Sequence, residues 1–473
     1  MTLTRGNARL RSHSEYNPSM LNNVLNTLDT NRPQAVENLK TFLRIPSIST
    51  DPDRAGDVHR CAAWLSQQLI DSGLSSQVLP TGGHPVVLAR NAHVPGRPTI
   101  LLYGHYDVQP PEPLELWQSP PFEPTIRNGA IYARGAVDDK GQVWTHVEAL
   151  RAWQRHGGIP VNLTILIEGE EEIGSAHLAD FMRDHRAALA ADIALISDTD
   201  QFARGVPAIV YGLRGLAYME VTITAADHDL HSGLYGGAVP NPANILCEIL
   251  ATLHDKAGRV NIPGFYDDVA PLSDAERAMW ASLPFDEPAF KQELALDALC
   301  GEEGFTTLER RWARPTCDIN GLTSGYQGPG AKTVIASKAS AKVSMRLVPN
   351  QDPAKIEAAF TRAIRQRCPA NVKVEIVSHH GAEPVLIPLD SPAVKLAAQA
   401  LQVGFGQPPV FIREGGSIPV VSLIRRLLGI DSLLVGFGLT DDRVHAPNEK
   451  FDLDCFHNGA RTAAALYAKL AGL

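Results

Sequence analysis

Thr99-Ile100-Leu101-Leu102-Tyr103-Gly104-His105-Tyr106-Asp107-Val108 is the stretch from which the rest of the chain can be read. Residues 99–103 form a short apolar, β-rich run, which reads as a strand. Two further runs of this kind lie at 161–167 and 192–196. They alternate with helix-like segments at 58–70 and 142–154, the second carrying Val143, Trp144, Val147, Leu150 and Trp153 on one face at helical spacing. Strands that alternate with helices predict an α/β fold, a mainly parallel sheet with helices on both faces. A fourth apolar run, 432–437, reads as another strand of that sheet, and a last helix follows over 458–470.

The middle of the chain keeps a different period. Between 215 and 224, Ala217, Met219, Val221 and Ile223 alternate with Tyr218, Glu220 and Thr222, the pattern of a half-exposed strand. A helix over 242–254, a hairpin-like pair at 332–336 and 341–347, a helix over 353–367 and a strand over 371–378 complete an α+β unit. Residues 260–330, rich in Pro, Gly and charge, read as a long irregular insertion. A chain of 473 residues is too long for one ordinary domain. The expected division is a first catalytic piece at 1–212, an inserted α+β domain at 213–388 and a second catalytic piece at 389–473. Residues 1–18 read as a loose tail. Arg5, Arg9 and Arg11 have no apolar segment behind them, so no signal peptide is expected there.

An apolar share of 44% suits a sizeable core, and a formal charge of −9 argues against nucleic acid or an anionic membrane as main partner. No apolar run is long enough to cross a bilayer. Cys61, Cys247, Cys300, Cys317, Cys368 and Cys455 are scattered without a C-x-x-C pair. That pattern fits reduced thiols in a cytoplasm, not a disulfide frame or a zinc-thiolate site. Any metal must then be held by His and carboxylates.

Those residue types recur where the strands end. His105 and Asp107 follow the 99–103 run, and residues two apart in extended chain point the same way. A carboxylate so placed can fix the tautomer of a metal-bound His, although His-x-Asp alone is a weak signal. Asp138 and Asp139 stand before the 142–154 helix, where an N-cap would account for one of them. Glu168, Glu170, Glu171 and Glu172 close the 161–167 strand. Acidic clusters are usually solvated surface, but this one ends a run too apolar for a sheet edge, so some of its carboxylates need a cation. Asp198 follows the strand ending at Ile196, and His445 comes after the 432–437 strand. Each has a structural explanation by itself. Together, all five sites are expected to follow the C-terminal ends of strands of one sheet, the edge at which open α/β sheets bind ligands. Nitrogen and oxygen donors without thiolate suit zinc or manganese. The surplus of acids points to two metals, roughly 3.5–4 Å apart, sharing one carboxylate.

In order along the chain, Gly-His-Tyr-Asp-Val-Gln-Pro from Gly104, Asp-Asp-Lys-Gly from Asp138, Glu-Glu-Ile-Gly-Ser from Glu171, Ile-Ser-Asp ending at Asp198, Asp-Leu-His-Ser-Gly around His231, Arg-Glu-Gly-Gly-Ser-Ile-Pro from Arg413 and His-Ala-Pro-Asn-Glu-Lys from His445 resemble the aminoacylase and carnosinase family of dinuclear metallopeptidases. The cytosolic non-specific dipeptidase branch fits best. The resemblance implies a catalytic domain with an inserted lid through which two chains dimerise, and two divalent ions, Zn2+ or Mn2+. It implies that His105 binds one ion and His445 the other, that Asp138 bridges them, and that Glu172 and Asp198 complete the two shells. Asp107 would orient His105, and Glu171 would be the general base. This register is anchored on Ile173-Gly174-Ser175; a slip of one would move base and ligand to Glu170 and Glu171. A cis bond between Asp138 and Asp139 is also implied. His231 would donate to the oxyanion in the site of the other subunit, and Thr333, Arg346, Gly416 and Ser417 would contact the substrate. Apart from the resemblance, Arg346 could pair with a C-terminal carboxylate, and the turn at 415–419 leads into a 420–428 helix whose N-terminus suits an anion. Solvation is the ordinary fate of such an Arg. The expected function is metal-dependent hydrolysis of dipeptides, with N-acyl amino acid hydrolysis at the same centre as the alternative. A metal-binding scaffold would have no use for Glu171.

Overall fold

The first strand of interest, Thr99–His105, runs two residues further than the apolar run alone indicates and is buried from Ile100 onward. The computed structural model describes residues 18–473; the expected tail lies outside them except for Pro18, which opens the helix Pro18–Leu43. These residues form two units, one comprising residues up to 209, 389–409 and 427–473, the other 210–388 and 410–426. Residues 410–426, assigned from sequence to the second catalytic piece, thus group with the middle unit.

In the first unit, strands run in the order Ser75–Leu79, Val86–Arg90, Asn162–Glu168, Thr99–His105, Ile193–Ile196 and Ser432–Leu434. The last four are mutually parallel, and the first two are antiparallel additions at one side. Parallel strands need both faces covered, hence the unbroken burial of Asn162–Glu168 and Ile193–Ile196. The helix Leu453–Leu470 packs on Lys140–Gln154 and Pro392–Phe405, and Pro18–Leu43 packs on the first two of these three. Trp64, from the helix Ala55–Asp71, stacks between Phe42 and Trp144, with ring centroids 5.1 and 5.3 Å away. That aromatic stack joins three helices and fixes the start of Lys140–Gln154. A separate sheet of three short strands, Thr125–Arg127, Ala130–Tyr132 and Lys450–Asp452, also belongs to this unit.

In the second unit, four antiparallel strands lie in the order Thr316–Ser324, Lys338–Leu347, Gly215–Thr224 and Lys373–Ala382. The alternation of Gly215–Thr224 is borne out: Ala217, Met219, Val221 and Ile223 are buried with Leu246 and Leu250 of the helix Pro242–Ala251 and Ile356, Phe360 and Ile364 of Pro353–Arg367. Two sequence readings need correction. The expected hairpin at 332–347 does not form, because Val334–Ile335 pairs with Leu230–His231 while Lys338–Leu347 pairs with Gly215–Thr224 and Thr316–Ser324. Residues 260–330 are not irregular throughout. They hold the helices Asp274–Ala281, Glu287–Glu293 and Thr307–Trp312, each started by a side-chain cap, and the edge strand Thr316–Ser324.

Candidate metal centre

Strand register decides which side chains meet. His105 stands opposite Glu168, Tyr103 opposite Ile196, and Leu434 opposite Ile196, so four parallel strands end within two residues of one level. The chain then delivers Asp107, Glu171 with Glu172, and Asp198 just beyond that edge. Asp138 arrives otherwise. It does not follow a strand of this sheet, contrary to the expectation for all five sites, but lies in the loop between the short strand Ala130–Tyr132 and the helix Lys140–Gln154. Nor does the ordinary explanation as a cap hold: Asp139 is at the N-cap position, but its side chain makes no capping bond. Its Oδ2 instead accepts from the His105 backbone N–H at 3.1 Å. Gly104 permits this approach, since a Cβ there would sit 2.7 Å from that oxygen. The Asp138–Asp139 peptide bond is cis.

The seven candidate metal and catalytic residues of this unit come together. Asp138 turns Oδ1 to His105 Nε2 at 3.1 Å and Oδ2 to His445 Nε2 at 2.9 Å. Asp198 Oδ2 lies 4.0 Å from His105 Nε2, and Glu172 Oε2 lies 3.1 Å from His445 Nε2. Two clusters of potential metal-holding atoms result, His105–Asp138–Asp198 and Asp138–Glu172–His445, joined by Asp138. Glu171 belongs to neither. Behind His105, the Asp107 carboxylate is 3.4 Å from Nδ1, and its other oxygen accepts from the Glu172 backbone N–H at 3.1 Å. Glu170, the base under the alternative register, is occupied elsewhere: it accepts from the His84 backbone N–H and pairs with His177 Nδ1. His445 has a left-handed backbone (φ 62°). A non-glycine residue keeps such a conformation only where its surroundings over-determine it. Here Asp442 accepts from the Leu439 backbone N–H and from Lys450, and Asn448 bonds to the backbone at Leu116 and Gln118.

The electrostatics express crowding. Burial, then the charge of Asp138, pushes the Asp198 carboxyl up to about 7. Glu171 is raised well above the usual carboxylate range by burial, with His105 opposing and Asp198, Asp138 and Glu172 adding to the rise. Burial would also raise Asp138, but its hydrogen bonds to His105 and His445 outweigh this and hold it below its ordinary value. Hydrogen bonds to Asp138 and Glu172 lift His445 to about 10. Four carboxylates thus share two imidazoles. The donor set is oxygen and nitrogen only, one carboxylate spans both clusters, and the negative charge exceeds what two His can balance. The residues fit two divalent cations.

The remaining five candidates lie in the second unit as two groups. Arg346 Nη1 donates to Ser417 Oγ at 3.0 Å, and Ser417 Oγ donates in turn to the Arg214 carbonyl; Gly416 beside it is exposed. The Ser232 backbone N–H donates to the Thr333 carbonyl, and His231 Nδ1 accepts from the Gly233 backbone N–H at 3.0 Å. The proton of a neutral His231 therefore sits on Nε2. Sequence reasoning missed Asp139 as a brace for His105. It also missed Gln109, whose amide donates to Glu172 Oε2 at 2.8 Å and to the Glu172 carbonyl. Both sit inside motifs quoted from the sequence, but only the fold reveals what they touch.

Comparison with known proteins gives a consistent result. Residues 101–469 match peptidase family M20/M25/M40. The Cys-Gly metallodipeptidase DUG1 of Candida albicans is 32% identical over 96% of this chain and 98% of its own length. The crystal structure of human carnosine dipeptidase 1 has a TM-score of 0.83 at 29% identity, covering 96% of this chain and all of that one. The M20 family metallo-carboxypeptidase Sso-CP2 from Sulfolobus solfataricus gives 0.85 at 34% identity, covering 93% and 99%.

Proposed function

The chain belongs to peptidase family M20/M25/M40, and from that membership we propose that it is a metallodipeptidase with two divalent cations, zinc or manganese, held by His105, Asp138 and Asp198 on one side and His445, Asp138 and Glu172 on the other. The observation that carries this reading is Asp138, which offers one oxygen to each cluster. When bound, the cations supply Lewis acidity, polarising the scissile carbonyl and easing deprotonation of water near neutral pH. Glu171 takes the proton of the attacking water on a carboxylate oxygen and passes it to the departing amine. Its absence from both clusters, and the engagement of Glu170 elsewhere, support that assignment over the slipped register. Asp107 and Asp139 hold His105 from its Nδ1 side and its backbone. Arg346, with Ser417 and Gly416 beside it, receives the substrate carboxylate, a planar anion that matches the guanidinium fork.

The enzyme is proposed to work as a cytoplasmic homodimer joined through the second unit. Support comes from the exposed apolar side chains Leu234, Tyr235, Ile319 and Leu322 of that unit, and from cysteines that are all free. Among the described residues, no helix is long and apolar enough to cross a membrane. The partner subunit's His231 then donates its Nε2–H to the oxyanion, while the partner's Thr333 lies beside it on the substrate. Mixing inactive His231→Ala with inactive Glu171→Gln and letting subunits exchange is expected to restore one working site per heterodimer. Absence of recovery after demonstrated exchange would mean that each chain uses its own His231 or none.

Turnover of a substrate panel tests the function itself. Zinc- or manganese-loaded protein is expected to hydrolyse unblocked dipeptides faster than N-acetyl or N-succinyl amino acids. It should also prefer dipeptides to tetrapeptides, which belong in the panel because the Sulfolobus relative is described as a carboxypeptidase. Preferential cleavage of the acylated amino acids would replace the dipeptidase reading by the amidohydrolase one.

A further inference from the structure

Four residues beyond His445, the buried carboxylate of Glu449 accepts from four donors at once. Its Oε1 accepts from the backbone N–H groups of Val137 and Asp138 at 3.0 and 3.3 Å. Its Oε2 accepts from the Gly135 backbone N–H at 2.9 Å and from Arg134 Nη1 at 2.8 Å. The Glu449 carbonyl adds a fifth bond, from the Ala133 backbone N–H at 3.2 Å. A carboxylate has about four lone-pair sites, and here each oxygen serves two donors. The loop can aim three N–H groups at one point because Gly135 takes a left-handed backbone (φ 80°); a Cβ there would also sit 2.7 Å from the Val108 side chain. Backbone N–H groups converging in this way form a small anion-binding concavity, and its anion comes from the loop that carries His445.

We propose that Glu449 is a positioning residue for the metal centre: it latches residues 133–138 to the 445–449 loop and thereby sets the separation of Asp138 and His445. It touches neither substrate nor reacting atoms. The proposal rests on the two-cation reading above. Arg134 is buried beside it and paired with it at 2.8 Å, so the latch adds no net charge to an already acidic centre. A Gln at 449 would keep the shape but offer one acceptor oxygen, turning its NH2 group against two of the N–H donors. The competing account is that the Arg134–Glu449 pair only stabilises the fold, since breaking any buried ion pair is destabilising in itself.

Zinc titration of the metal-free full-length chain against a chromophoric chelator separates these accounts, with thermal unfolding of the same metal-free proteins recorded alongside. Wild type is expected to take up two zinc ions. Glu449→Gln should lose ~10-fold or more in zinc affinity, the scale seen when a partner behind the ligands is removed. Arg134→Lys, which keeps a positive partner and all three backbone donors, should bind zinc close to wild type even where its unfolding temperature falls. If Glu449→Gln does not fold, Glu449→Asp, whose oxygens retreat by one methylene, carries the same expectation. Wild-type zinc affinity in the Glu449 variant overturns the latch, as does a loss of affinity in both variants that merely follows their unfolding temperatures. A wild-type chain that takes up only one zinc contradicts the two-cation reading instead, and the comparison of variants on that ion still decides the latch.

Discussion

Glu171→Gln is expected to lower turnover by ~10²-fold or more, the usual scale for loss of a general base, while metal content stays at the wild-type level. The expectation follows from placement. Glu171 is half-buried among His105, Asp138, Asp198 and Glu172, close enough for their charges to act on it, yet it contributes to neither cluster of metal-holding atoms. The amide preserves size and polarity but cannot take a proton from water. Metal analysis of the purified variant and its kcat with a dipeptide are the two measurements needed. A variant that has lost one metal equivalent would show that Glu171 is a ligand and that the base lies one residue earlier, at Glu170. The bonds of Glu170 to His84 and His177 argue against that register.

Asp138→Ala should be more severe, because in the proposed centre one residue serves both cations. Its two oxygens face His105 Nε2 and His445 Nε2 separately, so its removal is expected to weaken both sites together. The loss should exceed the ~10–100-fold that follows removal of an outer partner, and activity should fall to background. By contrast, Glu172→Ala and Asp198→Ala should each weaken chiefly one cation. Calorimetric zinc titration distinguishes the patterns: two binding steps in wild type, one selectively impaired in each single-cluster variant, and neither intact without Asp138. One undisturbed tight site in Asp138→Ala would rule out the bridging role.

The parts of this centre that sequence could disclose are those carried by strands. Apolar runs ending at Tyr103, Ile167 and Ile196 are buried on both faces of a parallel sheet, so their ends could be aligned from hydrophobicity and the residues just beyond them brought to one edge. Asp138 was not legible in that way, because it enters on a loop from a separate small sheet and an Asp before a helix has an ordinary explanation as a cap. The family resemblance placed it; periodicity did not. The insertion at 260–330 hid its order differently. Its helices are short and two of the three are largely exposed, and Thr316–Ser324 is an edge strand with a register shift between Ile319 and Gly321, so neither helical nor alternating burial runs long enough to stand out. The Thr306–Glu309 capping box, found only in the structure, starts the helix Thr307–Trp312. Glu449 illustrates the remaining gap. Its sequence neighbours say nothing of the four donors that converge on it from residues 134–138.

The first unit takes its candidate ligands from both sides of the second: His105, Asp138, Glu172 and Asp198 precede residue 210, while His445 follows residue 426. Synthesis imposes an order on their appearance. At about 5–20 residues per second, a ribosome needs roughly 12–50 s to travel from Asp198 to His445. Throughout that interval the nascent chain holds one histidine and three acids of the centre without the fifth member, and Glu449 is made later still. If these five residues are the ligands proposed, peptide-cutting power is withheld until translation has nearly passed the last motif. A polypeptide released before that point is then expected to be inert and not merely slow, whatever fraction of its mass has folded.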